Sequence, residues 1–483
     1  MMSLSKNNNE TKSKLASMPF VARRITESVA VCVALLAMAF AGLSAMDGTA
    51  VAAARLEKKT MEIQQITSPG GITAWLVEEN SLPLVAMRFS FEGGSAQDPD
   101  GKPGVAHFLT TMLDEGAGEL DAAAFQERME DIALRMSFSA GRDSFYGNFQ
   151  TLTENLDEAA NLMHLAITEP RFDDAAVERM RKQLISSLSF AAKNPNQVAG
   201  TAWAETAFPN HPYGRPSKGT PETIAKVTAE DLKTYRDNVF SKQHLKVAVV
   251  GDIDAERLGK LLDKLFAELP ETSKLEPVPN IEPAAGRTEV IEMPIPQSVA
   301  IFGLKGLARK HEDFVPAFVM NHILGGGGFA SRLMEEVREK RGLAYSVYSY
   351  LQPYDHAAIF AGSVATKNEK LSESISVIKA EIEKMASEGP SEEDLANAKS
   401  YLTGSYALRF DTSSKIASQL LGIQQEDLGI DYVNKRNEMI NAVTLDEIKR
   451  VAADLLKPDN LIVVVAGRPQ GLEHAATAKS PSQ

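Results

Sequence analysis

His107 is the first residue whose type could do metal chemistry, and its neighbours do not complete a metal site. It lies in the stretch Gly-Val-Ala-His-Phe-Leu-Thr-Thr, in which Thr110 and Thr111 follow three and four positions later. Side chains at these spacings share one face of a helix. Catalytic zinc takes three protein ligands and keeps one position open, so a single imidazole beside two hydroxyl groups does not predict a zinc site.

The other candidate ligands are isolated. Glu115 lies beyond His107 by about 12 Å along a helix, which is too far to share an ion with it. His164 falls on a helical stripe, and we interpret it as a half-buried structural histidine. His311 is followed by a glutamate but lacks the second histidine of the zincin motif. We therefore expect this chain to hold no metal.

A second group of residues combines a glycine run with an arginine and a tyrosine. The run precedes Arg338 and Tyr345, which are seven positions apart (345 − 338 = 7). No Lys-Ser/Thr pair follows the glycines, so a hinge or a substrate loop is favoured over a phosphate cradle. An arginine and a tyrosine at a charged helix end can also be merely solvated or structural, and the two residues alone leave this alternative open. The run consists of Gly325, Gly326, Gly327 and Gly328.

Together these segments resemble the M16 (pitrilysin/insulinase) metallopeptidases, in particular the type with two-domain subunits. Members of that family carry His-x-x-Glu-His on a helix where this chain has His107, Thr110 and Thr111. Their third zinc ligand, a glutamate on a later helix, corresponds here to Ser186 or Ser187. The resemblance implies that the second histidine, the general base and the third ligand are all missing.

The same resemblance implies a role for Arg338 and Tyr345. In these peptidases an arginine and a tyrosine at this spacing project from the C-terminal domain toward the zinc of the other domain. By that resemblance Tyr345 donates a hydrogen bond to the oxyanion of the tetrahedral intermediate, and Arg338 holds a substrate carbonyl. Lost zinc ligands beside an intact pair imply the zinc-free subunit of a heterodimeric peptidase.

This interpretation implies specific partners. A zinc-binding M16 subunit would form the heterodimer and hold the zinc, and a peptide would be the substrate. The alternative is a non-catalytic peptide-binding or structural module of the same family. An autonomous zinc peptidase is the third and least favoured hypothesis, because it requires ligands that the sequence lacks.

An internal repeat predicts two similar α+β halves. A Val-Thr segment starting at Val227 leads through a helical pattern to a short strand ending at Gly251, and Val443 leads in the same way to Gly467. The offset is 216 at both ends (443 − 227 and 467 − 251). Strand and helix patterns follow one another without a regular βαβ alternation, which is typical of α+β folds. The family resemblance implies that the two homologous domains form half of a clamshell.

The composition, the repeat and the family resemblance together predict the organisation of the chain. We expect a signal peptide, an N-terminal M16-like domain, a proline-rich linker, a C-terminal M16-like domain and a disordered tail. The corresponding ranges are residues 1–54, 60–269, 270–287, 288–470 and 471–483.

Charge and the N-terminal segment indicate the compartment. The 51 Lys and Arg residues against 64 Asp and Glu residues give a net charge of −13, which disfavours nucleic acid as a partner. Basic residues precede an uncharged apolar run at residues 28–46, the pattern of a secretory signal. We expect a periplasmic protein, anchored to the membrane by that run only if the segment is not cleaved. Cys32, the only cysteine, lies in this run, so neither an internal disulfide nor a thiolate zinc site can form.

Overall fold

The computed structural model describes residues 61–472 and the backbone of residues 476–478. Strands and helices alternate irregularly in the first half of this part of the chain. In chain order they are β1 (Gln64–Thr67), β2 (Thr73–Glu78), β3 (Leu84–Glu92), α1 (Val105–Thr110), α2 (Ala122–Asp131), β4 (Arg135–Ala140), β5 (Ser144–Leu152), α3 (Leu156–Thr168), α4 (Asp174–Ala191), α5 (Pro195–Ala207), α6 (Pro221–Ile224), α7 (Ala229–Val239), β6 (Lys246–Gly251) and α8 (Ala255–Phe266).

The second half repeats this plan and adds two π-helices, at His322–Gly326 and Met334–Glu339. Its other elements, in chain order, are β7 (Thr288–Glu292), β8 (Gln297–Lys305), α9 (Phe314–Asn321), β9 (Ser346–Pro353), β10 (Ala358–Lys367), α10 (Leu371–Glu388), α11 (Glu392–Gly404), α12 (Ser413–Gln425), α13 (Tyr432–Ala442), α14 (Leu445–Leu455), β11 (Ile462–Gly467) and β12 (Ala476–Ala478).

The strand orders of the two sheets are β1-β2-β6-β3-β5-β4 and β12-β7-β11-β8-β10-β9, and five of the six positions are equivalent. The outermost strands differ, because β1 is antiparallel to β2 whereas β12 is parallel to β7. In each sheet the strand that ends the repeat pairs in parallel with one neighbour and antiparallel with the other. Strand β6 does so with β2 and β3, and β11 does so with β7 and β8. The predicted repeat and the α+β fold class are therefore confirmed.

The repeated helix starts have the same local chemistry. Thr228 caps α7 and Thr444 caps α14, each by accepting a hydrogen bond from a backbone N–H in the first turn. The acidic residue at that turn, Asp231 or Glu447, accepts in return from the N–H of the threonine. These reciprocal capping boxes satisfy backbone donors that the helix itself leaves free.

Each half covers one face of the other half's sheet with a helix. Helix α5 of the first half packs on β8 and β11, whereas α12 of the second half packs on β3 and β6. Trp203 of α5 is buried against the second sheet, and the side-chain amide of Gln424 on α12 donates to Val247 O at 2.9 Å. The opposite face of each sheet carries the apolar core of its own half.

Residues 270–287 contain neither helix nor strand and lie against both halves. The Ala284 N–H donates to Ala207 O at 2.9 Å, and the Ile281 N–H donates to His356 O at the same distance. The extended backbone expected of a proline-rich segment is thus held in place by hydrogen bonds to each side.

The two ends of the chain differ in what the structure describes. The expected signal peptide, including residues 28–46, lies outside the described residues. In the tail that we expected to be disordered, residues 476–478 instead form β12, which pairs in parallel with β7 and completes the sheet edge. Within residues 61–472, every helix is too short or too polar to cross a membrane.

Candidate functional site

Helix α1 is held at its start by a buried aspartate. The Asp98 carboxylate accepts hydrogen bonds from the backbone N–H groups of Gly104 at 2.6 Å and Ala106 at 2.7 Å. Phe108, one residue beyond His107, is fully buried in the core. The aspartate and the phenylalanine together fix the direction in which His107 leaves the helix.

His107 is a neutral imidazole in a partly buried position. Burial and, to a smaller extent, the positive charge of Lys218 lower the pKa of His107 to about 4. A neutral imidazole is the form that binds metal ions. Within residues 61–472, the causes of the shift include no hydrogen bond to the ring, which a metal-ligating histidine normally makes through its second nitrogen.

The two threonines use their hydroxyl groups locally. Thr110 Oγ1 donates to His107 O at 2.7 Å, and Thr111 Oγ1 donates to Phe108 O at 2.8 Å. Both hydroxyl groups therefore satisfy carbonyl groups at the end of their own helix.

The two serines that the resemblance assigns to the third ligand position are exposed on α4. Ser186 and Ser187 both face solvent, while Arg181, earlier on the same helix, places its guanidinium 5.4 Å from the centre of the Phe108 ring on α1. One imidazole and up to four hydroxyl groups do not form the nitrogen, sulfur or carboxylate donor set of catalytic zinc. Within the described chain, no three His, Cys, Asp or Glu side chains are arranged to share a metal ion.

Two remaining candidates for metal binding have structural roles. Helix α1 ends at Thr110, so the helical distance by which we excluded Glu115 does not apply. Glu115 is instead ion-paired with Arg179 of α4. His164 is half-buried on α3, as expected, with Nδ1 3.5 Å from Leu265 O.

The glycine run lies where the chain leaves the first π-helix. Gly325 is buried, and a Cβ there would overlap the Ser349 hydroxyl group and come within 2.8 Å of Leu333 Cδ1. Ser349 belongs to β9, the edge strand of the second sheet. The absence of a side chain at Gly325 thus allows the loop to pass close to β9, and π-helical turns of this kind often occur at functional sites.

Arg338 is held between two exposed aromatic rings. Its guanidinium carbon lies 4.5 Å from the centre of the Phe329 ring and 5.1 Å from that of Tyr345. Its Nε is also 3.6 Å from the Glu339 carboxylate. Stacking on aromatic faces orients a guanidinium while leaving its N–H donors free for another acceptor.

The neighbouring basic residues behave differently from Arg338. Lys340 and Arg341 both form ion pairs with Glu336, and these hydrogen bonds hold the pKa of Glu336 below its usual value. Lys340 and Arg341 therefore behave as ordinary charged residues at a helix end, which was the alternative left open for Arg338 and Tyr345. Tyr345 also differs from a structural residue, because 82% of its surface is exposed just before β9 begins.

The structure brings Arg338 and Tyr345 together and adds a residue that the sequence did not indicate. Phe329, at the end of the glycine run, is 70% exposed and supplies the second ring beside Arg338. An aromatic residue directly after a glycine run was the available signal. Tyr345 directly precedes strand β9, which begins at Ser346.

Two repeated α+β halves, one with His107 on its first helix and the other with an exposed Arg/Tyr pair, have the architecture of the two-domain M16 subunits that the sequence resembles. Residues 75–221 match the family described as insulinase (peptidase family M16). Residues 226–402 match the family described as peptidase M16 inactive domain. The chain belongs to peptidase family M16.

Individual relatives carry both peptidase and non-peptidase names. The non-peptidase homolog YmxG of Helicobacter pylori is 28% identical over 77% of this chain and 87% of its own length. The uncharacterized zinc protease YmxG of Bacillus subtilis is 24% identical over 84% of this chain and 98% of its own length. The crystal structure of a peptidase M16 inactive domain from Pseudomonas fluorescens aligns with a TM-score of 0.79 at 26% identity, covering 86% of this chain and 99% of that one.

Proposed function

We propose that this chain is the zinc-free subunit of an exported, heterodimeric M16-type endopeptidase. In this proposal a zinc-bearing partner subunit hydrolyses the peptide, and Arg338 and Tyr345 complete the partner's active site. The observation that supports it most directly is the exposed, ring-held arrangement of Arg338 beside a Tyr345 side chain that is 82% accessible. The hydroxyl groups at the metal position support the first part, because they leave His107 as the only typical zinc ligand there.

The chemistry of the pair fits this role. A tyrosine hydroxyl group donates a hydrogen bond, which stabilises the negative charge that develops on the carbonyl oxygen during peptide hydrolysis. A guanidinium group offers several donors in a fixed plane and can hold a second peptide carbonyl group. Neither group supplies the attacking water, so this chain alone would not hydrolyse peptides.

Export is the second part of the proposal. It rests on the basic residues followed by the apolar run at residues 28–46, and it places the protein in the periplasm. Fractionation of cells that produce the full chain is the direct measurement. Recovery in the periplasmic fraction or in the inner membrane would agree with export, whereas recovery in the cytoplasm would contradict it.

A reconstitution assay tests the catalytic role. The purified chain is mixed with a candidate M16 subunit that contains His-x-x-Glu-His, and cleavage of a fluorogenic peptide is measured. We expect activity only in the mixture, and Tyr345→Phe should reduce kcat by about 10²–10³, the typical effect of removing one oxyanion donor. Arg338→Ala should also reduce activity, mainly through the substrate KM.

Matched variants distinguish this role from a general loss of structure. Tyr348→Phe and Arg341→Ala change the same residue types nearby, at an exposed strand position and in an ion pair with Glu336. Both controls should keep wild-type activity. Full activity of Arg338→Ala and Tyr345→Phe, or zinc-dependent cleavage by this chain alone, would contradict the proposal.

A second candidate function is a non-catalytic peptide-binding or structural module. The name of the Helicobacter pylori relative, a non-peptidase homolog, favours it. This alternative predicts peptide binding or complex assembly that the Arg338→Ala, Tyr345→Phe double variant leaves unchanged. The reconstitution assay separates the two candidates, because only the first requires the pair.

A further inference from the structure

A polar cavity lies outside the site described above, between the first sheet and helix α12. Its volume is about 230 Å³, and strands β3, β4 and β5 form one wall while α12 forms the other. The polar side chains used in the argument below are Arg88, Ser137, Ser139, Asn148, Ser418 and Gln425.

Strand register explains why these side chains meet. Arg88 on β3 lies opposite Asn148 on β5, and Asn148 lies opposite Ser137 on β4. Residues paired in this way point to the same face of a sheet. This face of the sheet is covered by helix α12 and not by the apolar core. Helix α12 packs on β3 and β6, so a space remains beside the helix, above β5 and β4.

Arg88 has no counter-ion in the cavity. Its Nε atom is buried and makes no hydrogen bond within the described chain. Burial lowers the pKa of Arg88, and no charged neighbour contributes to that shift. All the other residues that line the cavity are neutral, and none of them is Asp or Glu. Arg88 as a whole is half-buried, and its buried Nε–H donor without a partner costs free energy that an anion in the cavity would recover.

The lining indicates which anion would fit. A guanidinium fork matches the two oxygens of a carboxylate group. Asn148 already donates one amide hydrogen to Ser137 Oγ, Gln425 donates one to Ser144 Oγ, and the Ser418 hydroxyl group donates to Ser414 O. The second amide hydrogen of Asn148 and of Gln425, and the hydroxyl groups of Ser137 and Ser139, can donate to an anion without adding charge. One positive charge balances one negative charge, which favours a monoanion over a phosphate dianion. The cavity is smaller than the roughly 300–1,000 Å³ of drug-sized ligand pockets, so it suits a short acid or the end of a longer ligand.

We propose that this cavity is a binding site for a carboxylate group, supplied by a small monocarboxylic acid or by the C-terminus of a peptide, with Arg88 as its counter-ion. The site is separate from Arg338 and Tyr345, and its occupation does not depend on the proposed catalytic role.

Calorimetric titration of the full chain tests the site with four probes. These are propionate, the blocked dipeptide N-acetyl-Ala-Ala, its uncharged C-terminal amide, and inorganic phosphate. We expect at least one of the two carboxylates to bind and the amide to bind at least tenfold more weakly. Binding of propionate indicates a small acid, whereas binding of N-acetyl-Ala-Ala alone indicates a peptide terminus. Equal binding of the amide, or tighter binding of inorganic phosphate, would overturn the proposal.

Substitutions then assign the binding to this cavity. Arg88→Met keeps the length of the side chain without its charge and should weaken carboxylate binding at least tenfold. Ser418→Phe fills the cavity from the exposed face of α12 and should have the same effect without altering Arg88. The matched control Arg135→Met, at an exposed position on β4, should bind as the wild type does.

Stability measurements separate a ligand site from a structural arginine. Without ligand, Arg88→Met should unfold at a temperature no lower than that of the wild type, because it removes a partly desolvated charge whose buried Nε–H has no partner. Added carboxylate should raise the unfolding temperature of the wild type and of Arg135→Met only. A large loss of stability in ligand-free Arg88→Met, with unchanged binding in Ser418→Phe, would contradict the proposal.

Discussion

At the scale of single residues, arginines at two sites show how far sequence reasoning extends. The spacing of Arg338 and Tyr345 is a local property of the chain, and it was visible without a structure. The ring contact with Phe329 depends on how the glycine run folds back, which spacing does not determine. The alternation along β3 predicts that Arg88 points away from the core. The cavity that Arg88 lines is closed on its other side by α12, which is remote in sequence, so the sequence pattern of β3 could not predict it.

His107 gives a prediction of pH dependence. Its pKa is lowered from 6.5 to about 4, chiefly because burial disfavours the charged ring. As the pH falls below 6.5, the unfolded chain takes up a proton at this residue and the folded chain does not. The free energy of unfolding should therefore decrease through this residue between pH 6.5 and about 4, and the decrease should level off once the folded state is also protonated.

Comparison with His107→Gln isolates this contribution from those of other titrating groups. Urea unfolding of the two proteins at several pH values should show the wild type losing stability relative to the variant on acidification. The histidine NMR signals of the wild type supply an independent value for the pKa. Parallel stability curves, or a His107 signal (the one missing from the variant) that titrates near 6.5, would show that His107 is not buried as described.

At the scale of elements, the repeat and its caps could be predicted because they depend on nearby residues. Thr228 and Thr444 each precede an acidic residue by three positions, which is the pattern of a capping box. The exchange of α5 and α12 between the two sheets could not be predicted. Both helices have ordinary amphipathic patterns, and such a pattern shows that a face is buried but not which sheet buries it.

Gly303 tests the contact between α5 and the second sheet. It lies on β8, where a Cβ would overlap the Trp203 ring and come within 2.9 Å of Phe360 O. Gly303→Ala should therefore force the ring and its helix outward and destabilise the protein by about 1–3 kcal/mol, the usual cost of overpacking. The measurement is the midpoint of urea unfolding.

Gly404 provides the matched control for this substitution. It ends α11, and a Cβ there would meet no atom within 4 Å. Gly404→Ala should leave stability unchanged or raise it by up to about 1 kcal/mol, because alanine restricts the unfolded chain. If both variants had the same midpoint of urea unfolding, the description of Trp203 as closely packed on β8 would be wrong.

At the scale of the whole molecule, the helix exchange couples the two halves. Unfolding either half removes a helix that covers the sheet of the other and exposes its apolar face. Hydrogen bonds from residues 270–287 to both halves add to this coupling. We therefore predict one cooperative unfolding transition rather than two, although chains of this size often unfold in steps.

Two signals from the same protein test the predicted cooperativity. The two tryptophans, Trp75 on β2 and Trp203 on α5, are both in the first half of the chain, whereas far-UV circular dichroism reports helices in both halves. The fluorescence and dichroism midpoints should coincide in urea. Trp75→Phe, in which only Trp203 emits, should show the same agreement between its two signals. A dichroism change that continues after fluorescence is complete would show that the halves unfold separately.

The local hydrogen bonds of Thr110 and Thr111 have a consequence for how this scaffold can change. Their hydroxyl groups are satisfied by carbonyl groups one turn away, so this segment keeps its shape without an ion to hold it. The shape of this turn is therefore set by its own hydroxyl and carbonyl groups, and exchanging residues around His107 need not disturb the fold as long as these two bonds remain.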